Sequence, residues 1–296
     1  MTCTLRHVVV TGASTGIGRA TAVRLAAAGW HVYAGVRALA DAPMAETVTP
    51  LLMDVTNAGQ IGDAVETVTE HVGAAGLNAL VDNAGIGVAV PMELVPLESL
   101  RWQLEVNVVG QVAVTQAFLP LLRQARGRLV IIGSIGDRFT PPFGGPLAAS
   151  KSAIASIADA FRQELAPWDI DVVLLEPASI HTEAIDKLRH DSQSAVEEFW
   201  TAGKELYGET YLGMVSAALK RERKGSPPDV VARKVQTALT ARRPRARYLV
   251  GKDAQVLANL VRFMPTPALD ALRRRIFHLP QPGSSAVLSA REGASR

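Results

Sequence analysis

The octapeptide Thr11-Gly12-Ala13-Ser14-Thr15-Gly16-Ile17-Gly18 restricts this chain more than any other stretch, because of what stands on either side of it. Before it come Leu5, Val8, Val9 and Val10, an apolar run of the kind that forms a strand buried on both faces. After it, residues 17–25 have helical periodicity. Strand, glycine turn and helix in that order build a phosphate-binding corner. Gly12 takes the tight turn, Gly16 presents no Cβ to a pyrophosphate, and Gly18 lets the helix pack on the sheet. The helix N-terminus offers free N–H groups and the positive end of its dipole to the anion. A glycine turn alone also fits a purely structural corner; the flanking strand and helix favour nucleotide binding.

The same alternation continues along the chain. Residues 30–36 read as a second strand, which ends in Val36-Arg37 with no carboxylate. A carboxylate there holds ribose hydroxyls, whereas an arginine accommodates a 2′-phosphate. The favoured reading is NADP(H) over NAD(H), the alternative being a solvated surface arginine. A third strand, 48–53, leads to Asp54-Val55, where Asp54 either accepts a hydrogen bond from adenine or caps the helix starting near Asn57. Ile61, Ala64, Val65, Val68 and Val72 recur at helical spacing, and 77–81 form a fourth strand. Asn83-Ala84-Gly85 then supplies a second small-residue turn, as a cofactor crevice requires. Residues 97–124 read as one long helix with Asn107 inside it, and 128–133 as a fifth strand delivering Ser134. A helix over 147–166 and a sixth strand, 171–175, lead to the segment Pro177-Ala178-Ser179-Ile180-His181-Thr182; residues 247–250 form a seventh. Repeated βα units with short connections give an α/β fold with a doubly wound parallel sheet of about seven strands, a Rossmann fold.

With these residues in place, the chain resembles the short-chain dehydrogenase/reductase family over about residues 5–250. The resemblance rests on TGASTGIG, Asp54-Val55, Asn83-Ala84-Gly85, Asn107, Ser134, Lys151 and the Pro177 to Thr182 segment. It implies cofactor contacts from Gly12, Ser14, Thr15, Gly16, Ile17, Gly18, Arg37, Asp54, Val55, Asn83, Ala84, Gly85, Lys151, Pro177, Ile180 and Thr182. It also implies a catalytic group in which Asn107 holds a water of a proton relay, Ser134 orients the substrate oxygen, and Lys151 binds the nicotinamide ribose and lowers the pKa of a tyrosine four residues earlier. That position holds Leu147. A leucine carries no proton, and losing a general acid or base of this kind costs typically ~10²–10⁴-fold in rate. Ala178, where the family usually has glycine, is a smaller departure. Tyr207, Tyr211, His181 and Asp137 are the candidate substitute donors, the alternative being polar residues that simply face water; Tyr33 and Tyr248 sit in strands pointing elsewhere. Family members typically pair the two long helices across a two-fold axis, which implies a homodimer or homotetramer.

The single cysteine, Cys3, excludes an internal disulfide. No apolar run is expected to reach the roughly 18 residues of a spanning helix, and the first strand begins too early for a signal peptide. The expectation is a cytoplasmic protein with no metal and no nucleic-acid partner, its net charge being only +3. Residues 1–251 make the dinucleotide-binding and catalytic domain, with a substrate lid over 183–225, a helical extension over 252–280 and a loose tail over 281–296. Phe199, Trp200, Leu206, Tyr207, Tyr211, Leu212 and Met214 of the lid, with Phe139 and Phe143, suit a bulky apolar carbonyl or alcohol, the alternative being that they only pin the lid to the core. Leucines, phenylalanines and arginines over 252–278 fit an amphipathic helix docked on the core, the favoured reading, or one lying on an anionic membrane surface.

Overall fold

The computed structural model describes residues 5–183, 194 and 196–282. The elements positioning the site are β1 (Arg6–Val10), α1 (Gly16–Ala27), β2 (Trp30–Val36), β3 (Val48–Leu52), α2 (Ala58–Val72), β4 (Ala79–Asp82), β5 (Arg128–Ile132), α5 (Gly145–Leu165) and β6 (Asp171–Pro177). Between β4 and β5 lie α3 (Leu97–Leu104), a π-helical turn (Glu105–Gly110) and α4 (Gln111–Ala125). After β6 come α6 (Thr201–Arg223), α7 (Pro228–Thr240), β7 (Arg247–Val250), α8 (Ala254–Phe263) and α9 (Thr266–Ile276). The strands form one sheet in the order β3-β2-β1-β4-β5-β6-β7, every pairing parallel.

Period-two alternation divides the strand residues between two layers. Val8, Val10, Val130 and Ile132 face α1 and α7, where Ala22, Leu25, Val231 and Val235 cover them. Val9, Leu129 and Ile131 face α2, α4 and α5 with Val68, Phe118, Leu122 and Ile154. Each such side chain fully buried is worth about 1.5–3 kcal/mol. A third cluster unites α6, α8 and α9 with Ile135 and Phe139 beyond the end of β5.

Three local expectations change. The helix over 97–124 is interrupted by the π-turn that contains Asn107, and continues to Ala125. By length and composition the stretch Leu97–Ala125 is apolar enough to cross a membrane, unlike the expectation that no such run exists. Half of that window is buried inside the fold, as befits a core helix. Asp54 does not cap α2; Asn57 does, its Oδ1 accepting from the Gln60 N–H at 3.1 Å. Residues 184–193 and 195 of the expected lid and 283–296 of the expected tail lie outside the described residues.

Candidate active site

The crevice opens where the sheet order reverses, between the carboxyl ends of β1 and β4, the place where an open α/β sheet accepts ligands. Gly12 and Gly16 have φ of +62° and +54°, left-handed values that favour glycine. A Cβ at Gly18 would stand 2.1 Å from the Gly12 carbonyl and 2.5 Å from Asn83 Nδ2, so glycine there lets the first turn of α1 close on the turns that leave β1 and β4. The second turn is pinned to the first through Thr11, whose Oγ1 accepts from the N–H groups of Asn83 (2.8 Å) and Ala84 (2.9 Å). Asn83 Nδ2 donates back to the carbonyls of Thr11 and Gly12 at 3.0 and 3.1 Å. Ser14 and Thr15 lead into the first turn of α1, where Ile17 packs on the α1–α7 layer.

Arg37 leaves the end of β2 exposed to solvent and makes no ion pair among the described residues. Arg19, which the sequence reading passed over, reaches from α1 to the carbonyls of Ser14 (3.3 Å) and Asp41 (3.4 Å), tying the glycine loop to the segment after Arg37. Asp54 Oδ1 accepts from the backbone and hydroxyl of Thr56 at 2.9 and 2.7 Å, and Val55 is buried beside Gly110. Thr182 faces Gly16 across the crevice, its Cγ2 3.4 Å from where a Cβ of Gly16 would lie. Glycine loop, helix N-terminus, two turns at a switch point and unpaired Arg37 together fit a dinucleotide bearing phosphate. A cleft of about 700 Å³ lined by Gly16, Arg19, Arg24, Thr182 and Asp229 adjoins this loop, not the Ser134–Lys151 region.

Lys151 sits on α5 and donates from Nζ to the Ile132 carbonyl at 3.0 Å, two residues before Ser134 on the same chain segment. Burial pulls its ammonium down to about 8. Ser134 Oγ accepts from the Gly136 N–H at 3.0 Å. Leu147, one helical turn before Lys151, reaches toward Gly87: its Cδ2 lies 3.8 Å from the position of a Cβ there. The other proton donors are otherwise engaged. Tyr207 Oη donates to Glu93 at 2.6 Å, which raises its pKa, and Tyr211, fully buried, donates to the Ala89 carbonyl at 2.6 Å. Asp137 is pushed up to about 7 by burial and by Glu176, and Arg247 bridges it to Asp159, two turns of α5 beyond Lys151. His181 is different: its side chain is exposed, and the bond to the Ser226 carbonyl comes from its backbone N–H. The methyl of Ala178 is buried in the α6–α8–α9 cluster. Pro177 ends β6 and Ile180 bridges to Ser226.

Asn107 belongs to a larger device. Its Oδ1 accepts from the Ile86 N–H (2.8 Å), while Nδ2 donates to the Ile86 carbonyl (2.9 Å) and to Ser150 Oγ (3.0 Å). One turn back, Gln103 Oε1 accepts from the Val88 N–H at 2.6 Å; one turn on, Gln111 donates to the Ala84 carbonyl at 2.8 Å; the next, Thr115, donates to Asp82 at 2.6 Å. Helix residues 103, 107, 111 and 115 thus pair with chain residues 88, 86, 84 and 82. Four residues of helix rise about 6 Å and two of extended chain about 6.6 Å, so the two repeats match. Ser150 closes the array on α5 by donating to the Leu147 carbonyl at 2.8 Å. Gln103, Gln111, Thr115 and Ser150 went unread in the sequence, although four polar residues at i, i+4, i+8 and i+12 of an apolar helix were a visible signal.

Comparison with known proteins agrees with this geometry. The family model described as short chain dehydrogenase matches residues 6–193. An NADPH-dependent 3-dehydrocapnine reductase of Ornithobacterium rhinotracheale is 34% identical over 278 residues, covering 90% of this chain and 96% of that protein. Estradiol 17-beta-dehydrogenase 2 of Mus musculus is 34% identical over 299 residues, covering 95% and 77%. Retinol dehydrogenase 16 of Mus musculus is 32% identical over 278 residues, covering 90% and 87%. In fold, the crystal structure of a short chain dehydrogenase from Burkholderia cenocepacia in complex with NADP superposes with a TM-score of 0.70 at 24% identity, covering 92% of this chain and 97% of that one. With the parallel seven-stranded sheet, the glycine corner at its switch point and these relatives in agreement, the chain belongs to the short-chain dehydrogenase family.

Proposed function

We propose that the protein binds NADP(H) and acts on the carbonyl/alcohol pair of a bulky apolar substrate, with turnover limited by Leu147. The observation that carries this reading is the phosphate corner together with Lys151, whose Nζ is held on the Ile132 carbonyl two residues before Ser134, and a side chain that cannot transfer a proton one turn before the lysine. A bound nicotinamide would supply hydride chemistry. Gly12, Gly16, Gly18 and Asn83 would hold the dinucleotide, Arg37 and Arg19 its 2′-phosphate, and Lys151 a ribose hydroxyl. Apolar Val88, Val90, Phe143 and Phe199 belong to the cluster beside the site, which suits an apolar ligand, as do the names of the estradiol, retinol and capnine enzymes. A reducing cytoplasmic setting and a homodimer or homotetramer complete the proposal, with residues 1–251 as the catalytic unit.

Replacing Leu147 by tyrosine should raise NADPH-dependent carbonyl reduction by ~10²-fold or more and leave calorimetric NADPH affinity nearly unchanged. NADPH should bind at least ~10-fold tighter than NADH, and Arg37→Asp should reverse the order. Preference for NADH in the present chain would remove the phosphate argument. A second reading is a cofactor-binding protein without turnover. It is favoured by the commitment of Tyr207, Tyr211 and Asp137 to other partners. In that case NADPH raises the melting temperature through linkage, and neither the present chain nor Leu147→Tyr reduces any carbonyl offered.

A further inference from the structure

The helices α8 and α9 have two unlike sides. Inward, Leu257, Ala258, Leu269 and Phe277 are buried in the cluster that contains Phe139, Phe199 and Tyr211. Outward, Phe263 is 73% exposed and Val256 60% exposed, and both line an apolar groove of about 500 Å³ with Leu260, Met264 and Pro265. A soluble helix seldom leaves a phenylalanine and a valine this open side by side unless something covers them.

The charges around this groove are of one sign. Lys252 is exposed in the turn before α8, and Arg262 and Arg275 are exposed on the two helices, while the only carboxylates among the described residues of this segment, Asp253 and Asp270, are taken by Arg221 at 2.9 Å and Arg273 at 2.9 Å. The Arg221–Asp253 bridge also brings the end of α6 against the start of α8, with Lys220 and Lys224 exposed beside it. Residues 220–282 carry fifteen basic and four acidic side chains. An open apolar strip flanked by unneutralised cations matches the acyl boundary and headgroup layer of an anionic membrane. It does not suit a second copy of the chain, because a two-fold contact would set these cations against themselves.

We infer that the outer face of α8 and α9 is a docking surface for an anionic lipid bilayer. Val256, Leu260 and Phe263 enter the acyl boundary, and Lys252, Arg262 and Arg275 meet lipid phosphates and carboxylates. The surface backs the apolar cluster beside the candidate site, so docking would bring that end of the sheet to where apolar substrates dissolve. The docking itself requires neither cofactor nor turnover, and stands or falls separately from the catalytic reading.

The full chain is sedimented with vesicles of phosphatidylcholine alone or with about one-third phosphatidylserine. Binding is expected to the anionic vesicles and to weaken steeply with salt. Val256→Ser with Phe263→Ser should cut partitioning at least about tenfold, and Lys252→Glu with Arg262→Glu and Arg275→Glu by more than about 100-fold. All these sites are exposed, so the thermal melts of the variants should match the parent. As a second measurement, Val256→Trp should show blue-shifted fluorescence on adding anionic vesicles. A parent that stays in the supernatant with both vesicle types overturns the inference. So does binding that the serine pair leaves unchanged, or a salt-sensitive assembly of the chain with itself that buries Val256→Trp without lipid.

Discussion

Gly18 shows what one missing methyl group accomplishes. Alanine there would put Cβ within 2.1 Å of the Gly12 carbonyl and against Asn83, and neither can retreat without opening the double turn. Gly18→Ala should lower stability by about 2–4 kcal/mol and abolish NADPH binding in a thermal-shift titration; binding that survives would mean the loop has another arrangement. Asp82 is a second informative residue. It is fully buried, one oxygen accepts from Thr115, and the other has no partner among the described residues. Burial pushes its carboxyl up to about 7 from an ordinary value near 3.8. The folded state therefore holds this proton more tightly than the unfolded chain does. Its contribution to stability is complete below pH 3.8 and is lost as pH rises toward 7. Asp82→Asn should remove that slope and stabilise the protein at pH 8, by about 4 kcal/mol at most. Denaturant unfolding at pH 5 and pH 8 measures it, and equal effects at the two values would refute the assignment.

Among the elements, the pairing of the α3–π–α4 helix with residues 82–88 determines how the loop beside Leu147 is held. Gln103 and Asn107 both donate to Ser150, so the array couples this loop to α5. Gln103→Leu would leave the half-buried Val88 N–H without its partner, at a cost of about 1–2 kcal/mol. Hydrogen exchange at Val88 should accelerate while exchange in β1 and β2 stays unchanged. A second element-level feature lies on β1, β2 and α2. There His7, His31 and His71 stack around Tyr33, with ring centroids 4.9–6.4 Å apart. Desolvation first, and then the neighbouring imidazoles, lower the pKa of His7 and His31. Hydroxyls of Tyr33 and Thr49 and the Thr67 carbonyl are the polar groups bonded to these rings. Because the folded pKa is depressed, this stability is present above the unfolded value of 6.5 and is lost as pH falls below it. Melting temperature should drop between pH 7 and pH 5, and less so in His31→Asn.

At the scale of the whole molecule, the outer faces of α4 and α5 carry the expectation of self-association. Ile154 proves to be core, but Ala149 is open to solvent, Ala113, Ala117 and Ile157 are half-buried, and Val109 and Trp102 on the same helical run are exposed. A small-residue surface of this kind lets two helices approach closely across a two-fold axis. Sedimentation at micromolar concentration should give a dimer or tetramer, and Ala149→Arg should shift it toward monomer without altering the melt of the isolated chain. A parent that sediments as a monomer would count against the pairing.

The sequence by itself determined the sheet and its cofactor corner. Local period, glycine placement and strand-to-helix order are properties of short stretches, and seven strands and the Thr11–Gly18 turn follow from them. Leu147 was equally plain, because a helix fixes the face of a residue four positions from Lys151. The tertiary structure decided what depends on partners far apart in the chain. Only there does Asn107 meet Ile86 and Ser150, Gly18 meet Gly12 and Asn83, and Asp137 turn from a possible donor into a member of an ion cluster with Glu176 and Arg247. The two sides of α8 and α9 were separated in the same way. Periodicity marks an apolar stripe, but whether a given apolar residue is buried or left open depends on which neighbour packs on it, and among the described residues Leu257 is buried where Phe263 is left 73% exposed.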